Sequence, residues 1–327
     1  MTLVPKPKQV ESTFISTSSG TLELLSSLPH SPSQQSPLLC IHGAHCSANC
    51  YSALLPLFAA AGYPSYALSL RGHGKSWQPS TFTFHFLTGM DVYISDVHSA
   101  LDHITSLHPD IPCILIGHSM GGGLLQRALT TWKRPRIAGL VLLTSAPLSG
   151  GGMDVARKWN GAEAALATAQ PAAPRPRAWV PWLRSFFRFE FSTGVDTPAQ
   201  VRNKFFSDEA SDEVVAGWIR DSKSRLESLR VPVEMFWPIA DAEKVLESID
   251  GEIRPRGRKV LCVSAEKDAL IPQELLKEDF DAYRRLAQGE EEVLQVQLSR
   301  SGHHVMLDVA RERCVEVIVS WLRGMDV

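Results

Sequence analysis

The chain predicts an α/β fold, a mostly parallel central sheet flanked by helices and interrupted by a mainly helical insertion. Three observations predict it. Short apolar runs alternate with longer stretches of helical periodicity. The runs are continuous rather than alternating, as strands covered on both faces are. The alternation stops near residue 148 and resumes at Lys259. A chain of 327 residues can bury a large core, and the pattern divides it into a core of 1–147 and 251–327 around an insertion of 148–250.

The elements follow in order. Gln9 to Pro29 predicts an antiparallel hairpin at the sheet edge, with Ser19-Gly20 as its turn. Ser36–Ile41, Pro64–Leu70, Pro112–Ile116 and Ile137–Leu143 read as buried strands. Helices are expected at Asn49–Ala61, Asp91–Leu107 and Met120–Trp132; in the second, Ile94, Val97, Leu101 and Ile104 recur at three- and four-residue steps. The insertion holds a proline-rich stretch, an aromatic and basic run from Trp179 to Phe191, and a helical segment from Asp212 to Leu226. The core pattern then returns as a strand at Lys259–Val263, a helix at Gln273–Leu286, a strand at Val293–Leu298 and a last helix at Met306–Trp321.

Composition narrows the function classes. Lys plus Arg is 33 and Asp plus Glu 35, a net charge of −2, which argues against a nucleic-acid or polybasic membrane-surface binder. A hydrophobic fraction of 44% and a charged fraction of 21% are those of an ordinary globular chain. Six cysteines are too few for a disulfide scaffold; Cys40, Cys113 and Cys262 sit in apolar runs and read as reduced core residues. Cys46 and Cys50 lack a second ligand pair nearby, so no zinc site is expected. The N-terminal segment has no apolar leader core and no run is long enough to span a bilayer, so a cytoplasmic protein without a stable membrane anchor is expected.

The chemistry centres on Ser119. The third buried strand runs into Gly117-His118-Ser119-Met120-Gly121-Gly122, and a helix follows at once. A serine hydroxyl is a weak nucleophile and must be held where a base and a substrate both reach it. A sharp strand-to-helix turn does so, and the glycines two residues to either side make room for it. Ser119 then stands at a helix N-terminus, with the Met120 N–H facing any charge that develops. A second oxyanion donor is expected from His42-Gly43-Ala44-His45, with Ala44 N–H the candidate. His42, Gly43 and His118 flank these groups and are expected to contact substrate. An acid and a base should follow in that order. Asp268 lies in the loop after Lys259–Val263, with Glu266 as rival, and His303 lies after Val293–Leu298, with His304 as rival. All four loops leave one edge of one sheet, where ligands of open α/β folds gather.

At these residues the chain resembles the α/β-hydrolase superfamily. The matching pieces are His42-Gly43, Arg71-Gly72-His73-Gly74-Lys75-Ser76, Gly117 to Gly122, Asp268 and Gly302-His303, spanning most of the chain outside the insertion. The resemblance implies the α/β-hydrolase fold with a helical cap at 148–250. It implies Asp268 rather than Glu266 as the acid, His303 rather than His304 as the base, and an architectural role for Arg71 to Ser76. Branches with an aspartate nucleophile, the haloalkane dehalogenases and epoxide hydrolases, are set aside by Ser119. The implied activity is serine-dependent hydrolysis of an ester, lactone or thioester of a small to medium apolar substrate, without metal or organic cofactor. GHSMGG with RGHGKS is also similar to monoacylglycerol lipases. Carbon–carbon bond hydrolysis, intramolecular acyl transfer, and a ligand receptor with little turnover remain open on the same triad. In the cap, Trp179, Trp182, Phe186, Phe187, Phe189 and Phe191 either line an apolar pocket or pack the cap onto the core. Arg175, Arg177, Arg184 and Arg188 either meet an anionic group or form a solvated face.

Overall fold

A computed structural model describes residues 9–132, 136–158, 197–222, 227–250 and 257–327. Eight strands form one sheet: β1 (Glu11–Ser16), β2 (Thr21–Ser27), β3 (Leu38–Ile41), β4 (Ser65–Leu68), β5 (Cys113–His118), β6 (Ile137–Leu143), β7 (Val260–Ala265) and β8 (Val293–Leu298). Their spatial order is β1-β2-β4-β3-β5-β6-β7-β8. From β4 through β8 every pairing is parallel, and β2 alone runs against its neighbours. The β1–β2 hairpin therefore sits at one edge, with its turn closed by the Thr17 N–H on the Gly20 carbonyl. β8 is the other edge, and its burial alternates along the strand where that of β3 to β7 does not.

Alternation along the inner strands feeds two cores. Cys40, Ile116, Val141 and Leu261 point to one face, under α1 (Leu55–Ala60) and the last helix, which this fold places at Arg311–Leu322. Leu39, Ile41, Leu115, Leu140 and Cys262 point to the other, under α2 (Met90–Leu107), α3 (Met120–Thr131) and the helix Gln273–Leu286. Between β6 and β7 the described helices are residues 152–158, α4 (Pro198–Phe205), α5 (Asp212–Ser222), α6 (Arg230–Glu234) and α7 (Ala242–Glu247). In chain order the last two helices are α8 (Gln273–Leu286) and α9 (Arg311–Leu322). α4 opens with a capping box in which Thr197 and Gln200 satisfy each other's backbone N–H groups. The aromatic residues from Trp179 to Phe191 and the arginines 175, 177, 184 and 188 lie outside the described residues.

Two expectations are corrected. The helix expected over Asn49–Ala61 is two pieces, a 3₁₀ turn at Ala48–Tyr51 and α1, because Pro56 can only occupy the first turn of a helix and so restarts it. The helix expected from Met306 begins at Arg311. Asp308 spends both carboxylate oxygens on the N–H groups of Gly302, Ser207 and Val309 and on the Ser207 hydroxyl, which holds 304–310 as turns.

Candidate active site

β5 delivers Ser119 to the carboxyl edge of the sheet. Its backbone is strained, at φ 51° and ψ −121°, in a region non-glycine residues rarely occupy. The surroundings hold it there. Its N–H donates to the Leu143 carbonyl at 3.0 Å, and its own carbonyl accepts from Gly122, Gly123 and Ala146. The flanking glycines are sterically required. A Cβ on Gly117 would stand 2.6 Å from the Gly122 Cα, and one on Gly122 would overlap the Ser145 hydroxyl.

β8 and the loop after it deliver His303. Its Nδ1–H donates to Asp268 Oδ2 at 2.9 Å, with both side chains buried. The other carboxylate oxygen of Asp268 accepts the N–H groups of Leu270 and Ile271 at 2.8 and 3.0 Å, which fixes the carboxylate. The His303 carbonyl is held by Thr144 Oγ1 at 2.9 Å and by His118 Nε2 at 3.1 Å. Ser119 and His303 open onto one cavity of about 350 Å³, which Ala44, Met120 and His118 also line.

The two rivals occupy other positions. Glu266 accepts the N–H of Arg300 at 2.8 Å, on the surface side of the loop. His304 lines the cavity but stacks among Phe205, Phe206 and Trp218, and its Nε2 lies 3.9 Å from Cys46 Sγ. His42 and Gly43, expected to touch substrate, lie outside the residues that line this cavity. His42 is fully buried and donates from Nδ1 to the Gly43 carbonyl at 2.8 Å while Nε2 accepts the Leu70 N–H at 3.1 Å. Both ring nitrogens are thus used in tying two loops together. Burial and the neighbouring His73 hold this imidazole at about 4, so it stays neutral. His118 is likewise pushed well down by burial and by His304 and His303.

The cavity walls are apolar, drawn from Phe205, Val231, Met235, Leu270 and Ile271. Among the described residues Glu227 is the one carboxylate in the lining, and sequence reasoning missed it. It is buried and bonded to His73 Nε2 at 3.1 Å and to the Tyr93 hydroxyl at 2.6 Å. His73 Nδ1 donates to the Arg71 carbonyl at 3.1 Å, so both of its nitrogens face acceptors, an arrangement that favours the imidazolium. Burial alone would disfavour both charges. The His73 charge and the bonds from His73 and Tyr93 outweigh it and hold Glu227 at about 2, while Glu227 raises His73 above its ordinary value. Thr144, Asp308 and His45, which lines the cavity at φ 61°, were also missed. Asp308 stood within the His303 segment without a recognised partner.

Among the described residues no group of three or more His, Cys, Asp or Glu is arranged to hold a metal ion, and no helix is long and apolar enough to cross a membrane.

Comparison with known proteins agrees with this architecture. The profile of the family described as serine aminopeptidase, S33 matches residues 32–287. Protein phosphatase methylesterase 1 of Candida albicans is 30% identical over 106 residues, 32% of this chain and 28% of that protein. Phospholipase YtpA of Bacillus subtilis is 24% identical over 203 residues, 61% of this chain and 70% of that one. The chain spans 28% to 37% of the length of the first three curated relatives it matches. Among solved structures, a bromoperoxidase from Bacillus anthracis superposes with a TM-score of 0.62 at 19% identity, over 96% of this chain and 100% of that one. An esterase from Exiguobacterium antarcticum gives 0.63 at 17% identity over the same shares. At these identities the likeness is one of fold.

Proposed function

The chain belongs to the serine aminopeptidase S33 family of the α/β-hydrolase superfamily, and from that premise we propose that it is a serine hydrolase of ester type. It cleaves an ester, lactone or thioester of a small to medium apolar substrate through an acyl-enzyme. The Asp268–His303 hydrogen bond at 2.9 Å, opening on the same cavity as the strained Ser119, is the observation that carries the reading.

In this reading His303 takes the Ser119 proton as the hydroxyl attacks the carbonyl carbon. Asp268 holds the Nδ1–H tautomer and stabilises the imidazolium that forms. The N–H groups of Ala44 and Met120 bind the tetrahedral oxyanion, each worth about 3 kcal/mol of barrier. The α3 dipole points its positive end at the same atom. His303 then protonates the leaving group and activates the water that releases the acid. The chemistry is completed by side chains and backbone, and the small-molecule substrate is the one partner it needs. The insertion 148–250 acts as a cap over the core of 1–147 and 251–327, and its walls make the site selective for apolar acyl groups.

The test is intact-mass analysis after a fluorophosphonate probe. One adduct on the native chain, absent from Ser119→Ala, is expected, followed by turnover on a panel of esters, lactones and thioesters. A folded native chain that takes no adduct and hydrolyses no member of the panel overturns the proposal.

A further inference from the structure

Three donors converge on the main-chain carbonyl of His303. Thr144 Oγ1 donates to it at 2.9 Å, His118 Nε2–H at 3.1 Å and the Val305 N–H at 3.1 Å. The Val305 bond is internal to the loop. The other two come from the ends of β5 and β6, so they tie the residue that carries the imidazole to the middle of the sheet. Thr144 is the first residue after β6, is fully buried, and lies 159 residues from His303 along the chain. Its N–H donates to the Val263 carbonyl of β7, the strand that leads to Asp268, at 2.8 Å. On either side of it, the Leu143 carbonyl accepts the Ser119 N–H at 3.0 Å, and the Ala146 N–H donates to the Ser119 carbonyl at 2.9 Å. The segment 143–146 is therefore bonded to the main chain of Ser119, to that of His303 and to the strand before Asp268.

We infer that Thr144 is a positioning residue for His303: its hydroxyl fixes the main chain of the base against the same segment that fixes the nucleophile. The inference rests on the hydrolase reading of Ser119 and His303. Two observations set it apart from the ordinary satisfaction of a buried hydroxyl. The first is strain. The Thr144 backbone lies at φ 41°, where a β-branched residue is a true outlier. Glycine would take that conformation at no steric cost, but it would leave the His303 carbonyl without the shortest of its three bonds. Such strain persists where the surroundings over-determine it, and it gathers at functional sites. The second is direction. The next hydroxyl along, that of Ser145, bonds to the adjacent Ala146 carbonyl and accepts from Gln126 Nε2 of α3. The Thr144 hydroxyl crosses instead to the loop that carries the base.

The consequence is geometric. Thr144 does not line the cavity, so it acts through His303 and not on the substrate. The His303 ring has to serve Ser119 on one side while its Nδ1–H stays on Asp268 at 2.9 Å on the other. Both demands are met only if the peptide that carries the ring is held. Misplacement of a reacting group by about 1 Å can cost about a hundredfold in rate. Without the Thr144 hydroxyl, His118 and Val305 still hold the carbonyl, so the expected loss is smaller, about tenfold, and falls on the attack step and not on substrate binding.

The experiment compares Thr144→Val, which keeps the shape and loses the donor, with Thr144→Ser, which keeps the donor. The second-order rate of fluorophosphonate labelling should fall about tenfold in the valine variant and stay within about twofold of native in the serine variant. On an ester that the native chain turns over, kcat should fall by the same factor with KM within about twofold. A second readout needs no turnover. The low-field proton resonance of His303 Nδ1–H, identified by its absence from His303→Ala, should be present in the native chain and in Thr144→Ser, and broadened by exchange in Thr144→Val. Ile104→Val, a buried core change in α2 outside the cavity lining, loosens packing alone and should label as the native chain does. Thr144→Gly lacks the hydroxyl and suits the positive φ, so it takes the place of Thr144→Val if that variant does not fold. An unchanged resonance and labelling rate in Thr144→Val, an equal loss in Thr144→Ser, a loss as large in Ile104→Val, or a native chain without the resonance would each overturn the inference. A native chain that shows the resonance but takes no label overturns the hydrolase reading alone, and the resonance in Thr144→Val then decides whether Thr144 holds the ring.

Discussion

Replacing Glu227 with Gln removes one negative charge from a buried ion pair and almost nothing else, since Gln has the shape of a protonated Glu. The partner is the His73 imidazolium at 3.1 Å, with side chains 5% and 2% exposed. A carboxyl held at about 2 in the fold rather than at its ordinary 4.5 stabilises the native state by about 3 kcal/mol when ionised. Coulomb's law gives the same order: charges about 3 Å apart at an effective dielectric near 20 attract by about 5 kcal/mol, from which burial of the two groups subtracts. The pH dependence has a sign on each side. Glu227 is depressed in the fold, so its contribution is present above 4.5 and is lost as pH falls toward about 2, at about 1.4 kcal/mol per pH unit. His73 is raised, so its contribution is whole below 6.5 and fades as pH rises through the folded value. These are two views of one interaction and are not added. Urea unfolding of the native chain and Glu227→Gln should therefore differ by about 3 kcal/mol between about pH 4.5 and 6.5, and by less on either side. A difference that is flat with pH, or below about 1 kcal/mol on the plateau, would refute the assignment of an ionised pair.

Ser119→Ala and His303→Ala should each lose more than about a hundredfold in kcat on an ester that the native chain turns over, whereas His304→Ala should stay within about tenfold; steady-state kinetics decides, and a dead His304→Ala beside a live His303→Ala would reverse the assignment of the base. Asp268→Asn should lower kcat by about a thousandfold or more with little change in fold, because Asn presents a donor where Nδ1–H needs an acceptor; circular dichroism beside kinetics separates the two effects. Gly122→Ala should cost about 1–3 kcal/mol in urea unfolding and lower kcat as well, since the added methyl displaces Ser145 and α3 from the strand that carries Ser119; unchanged kinetics in a destabilised variant would mean that the elbow relaxes without moving its serine.

The candidate site divides into parts that the sequence displays and parts that it does not, and the sheet is the dividing line. Ser119 and Asp268 come within a few residues of the end of a parallel strand, and His303 lies five residues after Leu298. The sheet register sets where those strand ends lie, so position along the chain translates into position in space. β6, α8 and β8 coincide with the segments read from periodicity, for covered strands and amphipathic helices carry their environment in their own composition. Errors arose where a local element depended on something outside itself, as with the restart at Pro56 and the turns held by Asp308. Glu227 is the extreme case. It lies 154 residues from His73 and 134 from Tyr93, and only the packing of helices between β6 and β7 brings it to the wall of the cavity. No period or spacing encodes such a meeting; a lone acid among mixed residues reads as surface. The same logic separates reaction type from substrate. The groups that would break a bond hang from the sheet and are legible, whereas Phe205, Val231 and Met235, which shape what can bind, hang from helices whose placement is decided by side-chain packing.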